Sequence, residues 1–191
     1  MSAQQLQPSL LKLTNFGNPI LRQTAKRLSK ADVASINVKQ LIKSIRLTNQ
    51  TKKYGVGIAA PQVGENLALA IIDIKPSETR PRAPTVSMVI INPNYEGVGR
   101  KSARWEGCLS SGIGKNTLFA KVPRYTKIQA NWIDEKGENH DEELSGIVAH
   151  VFQHETDHLN GILFVDLVKD TQSYMLASEY KKRIVKGRGG A

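Results

Sequence analysis

Between residues 31 and 53, Val33, Ile36, Leu41, Ile42, Ile45 and Leu47 recur mainly three or four positions apart among Lys, Gln and Ser. That period matches a helical turn and predicts an amphipathic surface helix over 31–53. Short apolar runs at 67–73 and 87–92 predict strands, joined by a proline-containing loop over 75–84. A further strand is expected at 124–133, with Lys136-Gly137 in the turn after it. Upstream, Phe16-Gly-Asn-Pro19 is a turn signal inside an N-terminal arm, residues 10–28, packed on the domain. Residues 170–185 read as a terminal helix. Strands first and a helix late, without regular alternation, predict an α+β fold rather than a doubly wound sheet.

The most informative pattern lies at 146–161. Ile147, Val151, His154 and His158 follow offsets of four, three and four, and Val148, Ala149 and Phe152 make the opposite side apolar too. A helix apolar nearly all round is buried, and Asn160-Gly161 is its stop signal. The histidines therefore lie on a buried face one turn apart, in an H-E-x-x-H pattern, with Glu155 about 100° round from His154. Buried imidazoles and a buried carboxylate are costly without partners, and a metal ion serves all three. Glu155 then stands beside the ion, placed to take a proton from water. The same spacing also arises by chance.

Two other stretches carry chemistry. Gly55-Val-Gly-Ile-Ala-Ala-Pro-Gln62 matches G-x-G-x-x-A, with Asp73 downstream. A dinucleotide site is rejected because a polar helical segment precedes the motif and Pro61 interrupts any helix within it. A loop whose glycines let backbone approach a ligand, with the Gln62 amide as donor, fits better than a mere tight turn. The second stretch is Trp105-Glu-Gly-Cys-Leu-Ser110. Cys108 is either a small buried hydrophobe or a third metal ligand, and Cys-His-His leaves an open position of the kind catalytic sites keep. Glu106 needs a cation, for which Arg124 is the candidate.

Composition narrows the class. A chain of 191 residues, 40% hydrophobic, is long enough for one core without disulfides, and its single cysteine excludes an intrachain one. No secretory signal pattern and no membrane span are recognisable, so a cytoplasmic protein with no membrane partner is expected. The net charge of +10 is concentrated at the ends, with no acid before Asp32 and Lys181, Lys182, Arg183, Lys186 and Arg188 after Glu179. A polyanion such as nucleic acid suits such a surface, as does simple solvation.

Taken in order, Gly55–Gln62, Glu106-Gly-Cys-Leu-Ser110 and Gln153-His-Glu-Thr-Asp-His158 resemble the three signature motifs of the peptide deformylase family. Pro19-Ile-Leu-Arg22 and Gly161-Ile-Leu-Phe-Val-Asp166 extend the resemblance over roughly residues 10–168. It implies antiparallel sheets packed around a central metal-binding helix, a single catalytic domain over 1–170 and a basic helical tail over 171–191. It implies removal of the formyl group from N-terminal formyl-methionine of nascent polypeptides, releasing formate. Cys108, His154 and His158 would bind ferrous iron, or zinc, nickel or cobalt. Glu155 would act as base and then acid, and Gln62 with the Leu109 N–H would hold the oxyanion. Val56, Ile147, His150 and Val151 match the methionine pocket, and Gly57 and Gly107 would present backbone to the peptide. A monomer is expected, with the basic tail as a ribosome contact.

The sequence departs from the family in Ser111-Gly112-Ile-Gly114, which puts the entrance loop in question, and in His150, a rival ligand on the same helical row. About 12 Å of helix rise separates His150 from His158, too far to share one ion. Two other readings stay open: a zinc endopeptidase on the same H-E-x-x-H with Glu179 as third ligand, and a non-catalytic ribosome- or RNA-binding protein.

Overall fold

A computed structural model describes residues 7–52, 55–77 and 80–187. In chain order its regular elements are α1 (Lys30–Ala34), α2 (Ile36–Gln50), β1 (Gly57–Ala59), β2 (Leu69–Ile74), β3 (Val86–Gly107), β4 (Leu118–Ile133), β5 (Asn139–Ser145), α3 (Gly146–Leu159), β6 (Met175–Leu176) and α4 (Ala177–Tyr180). The strands form one antiparallel sheet in the order β1-β2-β3-β4-β5, with β6 added to β4.

Strand β2 shows why residues 69–72 are a continuous apolar run. Ala70, Ile72 and Ile74 pack with Ala149, Val151 and Phe152 of α3. Leu69 and Ile71 turn the other way, into a cluster with Val38, Ile42 and Ile45 of α2. A strand covered on both faces has no polar side to alternate with. The α+β fold is thus a sheet between two helical layers, with the H-E-x-x-H helix on one face. Burying a side chain such as Phe152, which is fully enclosed, contributes about 1.5–3 kcal/mol.

The helix expected over 31–53 is two helices. Ser29 and Asp32 form a reciprocal capping box on α1, and Ser35, in extended conformation, closes it and caps α2 by accepting from the Val38 N–H at 3.3 Å. Serine competes locally for the backbone and so starts and stops helices. Lys53 lies outside the described residues.

Strand β3 is far longer than the expected 87–92. Residues past Asn94 are mostly exposed and held by pairing with β4 out to Gly107↔Phe119, so they carry no apolar alternation. Strand β5 is polar except for Leu144, which packs against the core, and is fixed by its ladder to β4, with Lys127–Glu143 (2.9 Å) and Gln129–Asp141 (2.6 Å) across it. Residues 170–185 do not make one helix. A 3-10 turn at Thr171–Ser173 is followed by β6, whose pairing of Met175 and Leu176 with Phe119 and Leu118 takes precedence. The chain then turns through α4 and a π turn at Lys181–Val185; Arg188 lies outside the described residues. No helix among the described residues is long and apolar enough to cross a membrane.

The N-terminal arm ties the three motifs together. Its backbone bonds run from Thr14 N to Gln62 O (2.7 Å), from Phe16 N to Ser110 O (2.8 Å) and from Ala25 N to Leu159 O (2.8 Å).

Candidate active site

Helix α3 brings His154 and His158 to one face, with ring centroids 4.8 Å apart and nearly perpendicular. Cys108, in the residue following β3, comes to meet them: its Sγ lies 3.2 Å from His158 Nε2. One ligand atom each from Cys108, His154 and His158 lies within 4.8 Å of the others. A thiolate and two imidazoles so close suit a borderline-soft divalent ion, and Cys108 and His158 are buried. The donor set fits a metal.

Around it stands an ionic network. Arg124 donates to both Glu106 oxygens at 2.8 and 3.1 Å and also pairs with Asp157. The same carboxylate accepts from His154 Nδ1 at 2.5 Å and lies 3.0 Å from His150 Nε2. Glu106 therefore fixes the His154 ring and leaves Nε2 for an ion, as outer partners of metal-binding histidines do. Burial opposes its charge, but His154, His150 and Arg124 together hold the Glu106 carboxyl well below the usual range. Burial likewise opposes the His154 cation, and Glu106 with Cys108 overcomes it, raising that imidazole well above its ordinary value. His158 is pushed well below, first by burial and then by His154.

The Arg124 partner expected for Glu106 is present. His150 is spent on Glu106 and is not in the ligand group. Glu179, the rival third ligand, pairs at the surface with Arg183 of the π turn and is absent from that group too.

Glu155 is buried beside β1, and burial lifts its carboxyl to about 7. A Cβ on Gly57 would fall 2.3 Å from Glu155 Oε1, so only glycine lets that backbone lie against the carboxylate. The supposed glycine loop is a three-residue edge strand followed by a 3-10 turn, Ala60–Val63. Within that turn Gln62 Oε1 accepts from the Ala59 N–H at 2.9 Å, which aims Nε2 at Cys108 Sγ (3.4 Å) and Ser110 Oγ (3.2 Å). Leu109 opens the short 3-10 turn after Cys108. Val56, Ile147 and Val151 share one apolar cluster.

A polypeptide deformylase family model matches residues 10–174. The chain belongs to the polypeptide deformylase family. Peptide deformylase 2 of Nostoc sp. is 36% identical over 184 residues, covering 95% of this chain and 98% of the relative. The peptide deformylase of Aquifex aeolicus is 39% identical over 168 residues, covering 87% and 92%. Among solved structures, a class I type b peptide deformylase from Acinetobacter baumannii with Met-Ala-Ser bound has a TM-score of 0.78 at 31% identity, covering 85% of this chain and 100% of that one. A deformylase from Synechococcus elongatus in complex with actinonin has a TM-score of 0.72 at 31% identity, covering 100% and 92%. These relationships make the chain a deformylase, an enzyme that removes N-formyl groups from nascent peptides.

Sequence reasoning missed Asp157 and Ser110. Asp157 lies inside the H-E-x-x-H pattern on a helix already read as buried, so its need for a cation was a usable signal. The other side of the bond, Arg124, is 33 residues away. Ser110 gave no such signal.

Proposed function

We propose that Cys108, His154 and His158 hold the divalent ion of this deformylase and that Glu155 moves the protons of formyl-methionine hydrolysis. The observation that carries this reading is the convergence of three ligand atoms beside a buried carboxylate whose Oε2 has no partner in the described structure. An ion held by Cys108, His154 and His158 would supply Lewis acidity to the formyl carbonyl and to a water. Glu155, lifted to about 7 by burial, takes the proton of the attacking water and delivers it to the leaving amine. Water adds its oxygen to the formyl carbon, the C–N bond breaks, and formate and a free N-terminal methionine leave. Gln62 Nε2, pre-aimed by its bond to Ala59, and the Leu109 N–H stabilise the oxyanion, each such donor contributing roughly 10²-fold or more.

The methionine side chain is placed against Val56, Ile147 and Val151, with His150 at the rim, and peptide backbone along Gly57 and Gly107. Ferrous iron is the proposed ion, and the same donors accept zinc, nickel or cobalt. The cations Lys181, Lys182, Arg183 and Lys186 are proposed to meet ribosomal RNA phosphate. Reversing Lys181, Lys182 and Lys186 to Glu is expected to weaken salt-sensitive co-sedimentation with ribosomes; unchanged co-sedimentation would remove that contact.

The enzymatic reading is tested by giving metal-loaded protein formyl-Met-Ala-Ser and, separately, a peptide with a blocked N-terminus and a cleavable internal bond. Formate from the first and no cleavage of the second is expected. Internal cleavage without formate would favour an endopeptidase.

A further inference from the structure

Gly107 lies between two site residues, Glu106 and Cys108, and its own position is backed from the C-terminal end of the chain. A Cβ on Gly107 would stand 2.7 Å from Phe119 Cζ and 2.8 Å from both ring Cε atoms, so the ring of its strand partner sits directly over the bare backbone. Tyr180 stacks on that ring, centroids 4.4 Å apart and planes 9° from parallel. It also meets Trp105 edge-on at 5.6 Å. Tyr180 is delivered there by β6, paired to Leu118 and Phe119, and by the bond from Ala177 N to Thr117 O at 2.8 Å. Residues 105 and 107 alternate with Glu106 along β3, so their contacts lie on the face opposite the ionic network.

We propose that Tyr180 is a positioning residue for peptide binding: through Phe119 and Trp105 it holds the strand backbone at Gly107 in the geometry to which substrate backbone docks. The C-terminal segment is then part of the catalytic unit rather than an appendage. The proposal rests on the reading that peptide runs along Gly107, and it adds a residue 73 positions away in sequence that no motif marks. Glu106 is anchored by Arg124 and Cys108 Sγ by contacts to Gln62, Ser110 and His158, so loss of the stack leaves the ligand group in place and loosens a surface that binds ground and transition states alike, an effect that falls on KM rather than kcat.

The test uses the full-length, metal-loaded enzyme and formyl-Met-Ala-Ser, comparing Tyr180→Leu, Tyr180→Phe and Phe119→Leu with the unaltered chain. Tyr180→Leu is expected to raise KM ~3- to 10-fold, the span of one aromatic pair, with kcat within about twofold and metal content unchanged. Phe119→Leu should do the same, whereas Tyr180→Phe, which keeps the ring, should restore the ordinary KM. An unchanged KM in both leucine variants would overturn the proposal, as would an equal rise in Tyr180→Phe or a joint loss of metal, kcat and fold in the leucine variants. An inactive unaltered enzyme would remove the functional reading itself, and this proposal with it.

Discussion

Both oxygens of the Glu106 carboxylate are shared between Arg124 and a histidine, His154 on one and His150 on the other. The charge therefore serves two purposes: it neutralises a buried guanidinium and fixes the ring of His154. Replacing it by the isosteric amide, Glu106→Gln, keeps the shape and removes the charge. Metal affinity is expected to fall ~10- to 100-fold, read by competition with a chelator. Stability should fall too, by up to about 3–5 kcal/mol in denaturant unfolding, because Arg124 loses a buried counter-charge. Asp157, the second partner of Arg124, limits that loss. Wild-type metal affinity in Glu106→Gln would show that His154 is oriented by something else.

At the scale of elements, what the sequence discloses follows burial. Helix α3 and strand β2 are enclosed, so their periodicity is legible and both are found where the apolar pattern puts them. The outer half of β3 and most of β5 face solvent and exist because β4 is beside them; their ladder bonds leave no local signature. The end of the chain misleads for the same reason: residues 175–176 have helical surroundings in sequence and pair with β4 instead. In the site, the histidines, Cys108 and the Glu106–Arg124 pair are legible from motif spacing and from the need of buried charge for a partner. The Tyr180 stack joins residues far apart and is not. The β4–β5 turn offers a test at this scale. His140 bonds Asp134 at 3.2 Å and Glu142 at 3.3 Å and stacks on Trp132, and its pKa is raised, chiefly by the Asp134 bond. A raised folded-state value means that the pair's stabilisation is fully present below the unfolded pKa of about 6.5 and is lost as pH rises through the folded value. NMR titration should show His140 above the ordinary value, and Asp134→Asn should lower it; no change in the variant would contradict the assignment.

Across the whole molecule, the arm, sheet and helix meet at the ligand cluster. Thr14, Phe16 and Ala25 bond to segments that carry Gln62, Ser110 and the end of α3, so the site is assembled from three distant parts of the chain and is formed only when the domain is. An ion bound there binds the folded state alone. At a concentration 1,000 times its dissociation constant it adds about 4 kcal/mol, and stripping it with a chelator is expected to lower the melting temperature, with recovery on adding metal back. A melting temperature indifferent to the ion would place the metal elsewhere.

The proposed mechanism has Glu155 transfer the protons without holding the ion. Formate release from formyl-Met-Ala-Ser by Glu155→Gln, with metal content determined on the same sample, separates the two roles. A full complement of metal with a rate ~10²- to 10⁴-fold lower is the predicted result. A comparable rate, or a loss of rate explained by a loss of metal, would contradict it.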